Sequence, residues 1–265
     1  FNLKSNDKPF LSDVAVRKAL YAGLNRQWMI DRLLNGQAIL ADGPIFPGTW
    51  AYNEAIQRQN YDAAQAQDLL INAGYNISAE DVSVRMKDGV QLAFTLIYPD
   101  TPEHERIAQA IQKDWELIQV RVDLEAVPYD VLLNERLANR DYQAALVDIN
   151  LARSPDPDPY PFWDQVQASG GQNYTQWDNK VASDYLEKAR ITLDITERAR
   201  LYRNFQAIFL EELPALPLFY PVYNYAVDNQ VKGIRMGPLF DSSDRFMSVT
   251  DWFLQAGRST PMPEV

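Results

Sequence analysis

Leu92-Ala-Phe-Thr-Leu-Ile-Tyr98, the stretch from Glu103 to Gln119, and Val120-Arg-Val-Asp-Leu-Glu-Ala126 stand in direct succession in this chain. The first is a largely apolar run of strand length, interrupted only by Thr95, the pattern of a buried strand. In the second, Ile107, Ile111, Trp115 and Ile118 recur at helical spacing. The third alternates, with Val120, Val122, Leu124 and Ala126 on one face of a strand. A right-handed crossover through the helix makes the two strands parallel and brings the loops after Tyr98 and after Ala126 to one edge of the sheet. Tyr98 and Tyr129 are then expected to flank one crevice. A short helix over 129–139 and a strand over 143–150 follow, and that strand leads straight into Ser154-Pro-Asp-Pro-Asp-Pro-Tyr-Pro-Phe-Trp163. Three loops thus converge on the edge where open α/β sheets bind ligands.

The proline-rich segment can be neither helix nor central strand. Each proline fixes its own φ, removes a backbone donor and pushes the preceding residue towards extended geometry. The resulting stiffness holds Asp156, Asp158, Tyr160, Phe162 and Trp163 in place before a ligand arrives, which lowers the ordering cost of binding. The same stiffness suits a rigid connector whose rings plug the core, and residue spacing leaves both readings open. As a binding device, the loop offers carboxylates for an ammonium or for ligand hydroxyls, and Tyr160 and Trp163 offer apolar faces. Arg153 can take a carboxylate in a bidentate fork or neutralise Asp156.

Elsewhere, Val82, Val84 and Met86 alternate ahead of Lys87-Asp88-Gly89, and with Leu92 to Tyr98 they read as a hairpin. Asp13 and Asn25 are candidate helix caps, the second helix ending at Asn35-Gly36, and 62–73 is a further helix stopped by Gly74. The loop bearing Gly43-Pro44 and Pro47-Gly48 carries Phe46, Trp50 and Tyr52, for which packing beneath the loop is the expected role. The spacing predicts helices over 179–191 and 197–211, with Asp194 and Glu197 spaced as a capping box and Pro214 and Pro217 as stops. The end, 258–265, with Pro261 and Pro263, reads as a frayed tail.

With 265 residues, 46% of them hydrophobic, the chain can build a substantial core. Its formal net charge of −11 disfavours nucleic acid or an anionic membrane surface as the main partner. There is no cysteine, hence no disulfide or thiolate chemistry. No apolar run reaches membrane-spanning length; the richest stretch, 214–227, is broken by Pro217, Pro221 and Asn224. The start at Phe1 suggests a processed chain or a piece of a longer one. The single histidine, His104, sits beside Glu103 and Glu105 and reads as a surface residue. Motifs for a serine hydrolase, a phosphate loop, a dinucleotide fold or zinc are lacking, so no catalytic residue, metal or cofactor is expected. Asp156 and Asp158 raise the alternative of a carboxylate-dependent hydrolase, but residues two apart in an extended segment point to opposite faces.

The order of segments resembles the C-terminal lobe of solute-binding protein family 5, the receptors of ABC importers for oligopeptides, dipeptides, nickel complexes and some sugars. Phe10-Leu-Ser-Asp-Val-Ala-Val-Arg-Lys-Ala-Leu20 is similar to its "D-x-x-V-R-x-A-L" helix, followed by Asn25-Arg26. Tyr61-Asp-Ala-Ala-Gln-Ala-Gln-Asp-Leu-Leu-Ile-Asn-Ala-Gly74 is similar to its "Y-D-x-x-x-A-x-x-L-L-x-x-A-G" element. Asp158-Pro159, Asn173-Tyr174, Arg198 to Tyr202 and Pro214 to Pro217 match later landmarks in order. The resemblance implies an α/β fold, a periplasmic-binding-protein type II lobe with a mixed sheet flanked by helices, spanning 1–265, whose N-terminal partner lobe lies elsewhere in the protein. It implies an exported receptor, periplasmic or extracellular and often lipid-tethered, that binds a small molecule or peptide between lobes and hands it to an ABC permease. A sensory module on the same fold is the further alternative. Asp156, Asp158, Tyr160, Trp163, Asn173 and Tyr174 are the expected cleft residues, with Tyr98, Tyr129 and Arg153 as second choices. Peptide-binding members commonly carry a Trp and then an Asp ahead of the Asp/Glu-Pro pair, where this chain has Ala152 and Pro155.

Overall fold

The structure, a computed structural model, describes residues 1–77, 81–150, 156–237 and 242–255. Asp13 caps α1 (Val14–Ala22), its carboxylate accepting from the Ala15 amide. Asn25 caps α2 (Arg26–Trp28), which runs on as a π-helical turn over Met29–Leu33. β1 (Ala38–Leu40) precedes the aromatic loop. α3 (Ala63–Asn72) is capped by Asp62, and Gly74 at φ +90° provides the left-handed exit expected of it.

β2 (Asn76–Ile77), β3 (Arg85–Lys87) and β4 (Val90–Gln91) form a small antiparallel sheet. Asp88 and Gly89 both have positive φ, 52° and 78°, between the paired Lys87 and Val90, the geometry of a type I′ hairpin turn. The hairpin is therefore real but shorter than expected. β5 (Ala93–Pro99) does not belong to it. Leu92 is the handover point: its amide donates to Arg85 of the hairpin and its carbonyl accepts from Arg121 of the next sheet.

α4 (Pro102–Glu116) links β5 to β6 (Arg121–Val127), and the two strands pair in parallel over their full length, Ala93 with Arg121 through Pro99 with Val127. α5 (Tyr129–Val131) and a π-helical turn over Leu132–Leu137 lead to β7 (Ala144–Ala145), which is parallel to β5 on its other side. The expected strand over 143–150 thus shrinks to a two-residue element, extended by the Leu146 amide donating to Ile97. With order β6-β5-β7 and all three strands parallel, β5 is the central strand, paired along both edges. Phe94, Leu96 and Tyr98 join the main core with Leu20, Leu70, Ile111 and Trp115, while Ile97 packs with Val127, Leu132, Leu137 and Tyr142. Trp115 donates its indole N–H to the Leu20 carbonyl, so the largest ring of α4 carries no orphaned donor.

The last part begins with α6 (Tyr160–Trp163), which corrects the expectation that the proline-rich segment holds no helix: Pro161 falls in the first turn, where its missing N–H leaves no intrahelical bond unmade. It continues with α7 (Lys180–Ile191) and α8 (Ile195–Glu212), a pair with its own core of Trp163, Trp177, Tyr202, Phe205 and Phe209. Asp194 caps α8 by accepting from the Glu197 amide. The reciprocal half of the capping box is not formed, because the Glu197 carboxylate instead takes a fork of hydrogen bonds from Arg200. β8 (Phe219–Pro221) pairs with β1, and β9 (Val231–Lys232) with β10 (Phe253–Leu254). Among the described residues no helix is long and apolar enough to cross a membrane. The predicted tail lies outside the described residues.

Candidate functional site

Because β5, β6 and β7 are parallel, their C-terminal ends lie at one edge, and specific contacts bind the departing loops together. The Asp100 amide donates to Val127, joining the loops after β5 and β6. Thr101 caps α4 through its hydroxyl, which accepts from the His104 amide at 3.3 Å. The His104 ring then bridges two loops, with Nδ1 2.7 Å from the Thr101 hydroxyl and Nε2 3.2 Å from Asp148 beyond β7. The single histidine is thus a clasp at the sheet edge. Tyr129, at the start of α5, is half exposed at this edge. Tyr98 is not its counterpart across a crevice: it is 7% exposed and belongs to the main core, because alternation along β5 turns it with Phe94 and Leu96 away from solvent.

Asp156 and Asp158 both reach the α7–α8 pair. Arg198 donates to Asp156 at 2.5 Å, and Arg190 approaches Asp158 at 3.0 Å. Arg198 is itself pinned. Its Nε donates to the Ala189 carbonyl at the end of α7, its Nη2 lies 3.4 Å from the Tyr202 hydroxyl, and its guanidinium sits 5.1 Å from the Trp50 ring centre. Burial opposes the Arg198 charge, but the bonds to Asp156 and Tyr202 outweigh it and hold the guanidinium more firmly protonated than usual. Burial pushes the Asp158 carboxyl above the ordinary range, opposed by the Tyr160 amide at 3.1 Å and by Arg190. Arg190 also stacks 4.2 Å from the centre of the Tyr160 ring.

Two other expected cleft residues lie inside. Trp163 is 5% exposed and meets Phe209 edge-on with ring centres 4.7 Å apart. Asn173 is fully buried: its amide donates to the carbonyls of Asp164 and Trp177, and its oxygen accepts from the Thr175 hydroxyl and the Trp177 amide. The side chains of Trp163, Asn173 and Tyr98 are buried and engaged in packing or hydrogen bonds. Tyr174 is partly buried against the far face of the sheet, with the Arg140 guanidinium 5.0 Å from its ring centre. Arg153, Ala152 and Pro155 lie outside the described residues.

Spacing alone overlooked Arg190 and Arg198, which fix the loop from α7 and α8; the similarity at Arg198 to Tyr202 was the available hint. Trp50 packs with its ring centre 5.7 Å from that of Tyr202, consistent with the packing role expected for its loop. Among the described residues no group of three or more His, Cys, Asp or Glu side chains gathers to hold a metal.

Over 234 residues the chain is 27% identical to the dipeptide-binding protein of Escherichia coli (strain K12), covering 86% of this chain and 41% of that protein. It superposes on the oligopeptide-binding protein AppA of Bacillus subtilis, solved with a nonapeptide, with a TM-score of 0.78 at 23% identity, covering 96% of this chain and 49% of that one. For NikZ of Campylobacter jejuni, solved with Ni(L-His), the TM-score is 0.75 at 25% identity, covering 95% and 50%. The chain spans less than half the length of the curated relatives it matches. With residues 1–174 matching the middle region of the family and the fold shared throughout, the chain belongs to the bacterial extracellular solute-binding proteins, family 5.

Proposed function

We propose that this chain is the C-terminal lobe of a two-lobed extracytoplasmic receptor that closes on a peptide or other polar organic solute and passes it to an ABC permease. The observation that carries the reading is the parallel β6-β5-β7 edge, whose three departing loops are joined by Asp100, His104 and Asp148. A ligand site on one lobe is half a site, and the share of the relatives' length spanned by this chain is that of half a receptor. The named relatives are binding proteins, and the relatives that take peptides favour a peptide here. Tyr129, Tyr160 and Tyr174 supply contact surface, and Arg153 stays a candidate beside them. Asp156 and Asp158 shape the wall, while Trp163, Asn173 and Tyr98 support it from behind. Each loop carboxylate is held by its own arginine, an arrangement poorly suited to acid and base roles, so no turnover is expected.

A ligand that touches both lobes stabilises the closed state by the contacts made only there. In the full-length protein, a mixture of di- to nonapeptides that raises the melting temperature is expected to shrink the radius of gyration in solution scattering. Binding without compaction, or steady hydrolysis of the bound peptide, contradicts the reading.

A further inference from the structure

The side chains of Asp156 and Asp158 are 36% and 26% exposed, although Oδ1 of Asp156 is itself buried. Neither offers a net negative charge. Arg198 lies against Asp156 in a short charge-assisted bond, and Arg190 pairs with Asp158 while stacked on Tyr160. We propose that Arg198, assisted by Arg190, is a specificity-determining residue: it consumes the negative charge of the proline-rich loop, so the receptor takes solutes whose group at this wall is uncharged. The inference rests on the reading that this loop faces a bound solute.

Arg198 is not free to step aside for a competing cation. The Ala189 carbonyl, the Tyr202 hydroxyl and the Trp50 ring hold it independently of Asp156. A ligand ammonium at this wall would meet the carboxylate and a guanidinium beside it, and the two Coulomb terms largely cancel. Displacing the guanidinium would also leave a partly buried cation without its partner, which costs more than the new pair returns. A hydroxyl, amide or acetylated amine carries no charge and meets no such conflict.

The test uses matched di- to pentapeptides with free or N-acetylated amino termini, titrated calorimetrically against the full-length protein. For the unaltered protein, the free and acetylated members of a pair are expected to bind within about threefold of each other. Arg198→Gln removes the guanidinium charge beside Asp156 and is expected to shift the ratio by at least about tenfold towards the free amine, and adding Asp156→Asn should cancel that shift. Should Arg198→Gln fail to fold, Arg190→Gln with Asp158→Asn applies the same logic, with a smaller shift because Arg190 is more exposed. A strong free-amine preference in the unaltered protein that Asp156→Asn removes would overturn the proposal. No binding by either set would contradict the receptor reading itself and the inference with it.

Discussion

Two arginines within the most recognisable motifs of the chain are structural staples. Arg17, in the Asp13 to Leu20 motif, is 2% exposed and donates to the carbonyls of Leu11, Glu212 and Leu213. The last two are end-of-helix carbonyls of α8, which closes on Leu213 in the left-handed conformation, so a cation there also meets the negative end of the helix dipole. Burial pulls the Arg17 pKa down, and Glu212 and Asp13 push back against it. Arg26 does the same work for the carbonyls of Ala41, Gln59 and Pro217. Arg17→Met is expected to lower the unfolding free energy by at least about 2 kcal/mol, because it orphans buried acceptors. Urea unfolding of the full-length protein measures this, and a loss near zero would show the fork to be dispensable. The sequence pattern marks these residues as family landmarks but is silent on their partners, which lie on the far side of the fold.

At the scale of elements, the clearest successes are those in which a local rule suffices. Asp13 and Asn25 cap helices as read, Asp194 makes its half of the capping box, and Asp88-Gly89 makes the tight turn it was read to make; Asp62 and Asn179, read as the first residues of helices, are their caps. Failures occur where tertiary pairing decides. No turn residue marks Leu92, yet the chain changes sheets there, because backbone bonding partners are chosen by position and not by composition. β7 is short because the segment beyond Leu146 turns towards His104 instead of continuing the ladder. The proline-rich loop was legible as stiff, but its arginine partners sit on α7 and α8, too far along the chain for spacing to reveal. These two helices form a separate aromatic core, so its damage should be felt at the loop. Phe209→Ala removes the edge contact with Trp163 and is expected to cost about 3–5 kcal/mol. Chemical denaturation with near-ultraviolet circular dichroism checks it; unchanged stability would mean that the core refills the space and that Trp163 does not depend on this contact.

For the whole molecule, strand and helix periodicity predicted a parallel sheet with its loops gathered at one edge, and the order of motifs predicted the family. Both follow from features spread along the chain. The identities of the groups facing a solute were less accessible: of the residues expected at the cleft, Tyr98, Trp163 and Asn173 turned inward, since rings and amides serve packing and backbone satisfaction as readily as recognition. Asp156 and Asp158 stay partly exposed, each paired with an arginine. The most direct test of the receptor account is an equilibrium titration of the full-length protein with a panel of peptides and neutral polar solutes. Saturable binding of one solute per protein, with no chemical change in that solute, is predicted; absence of saturable binding across the panel, or turnover of the solute, would contradict the account.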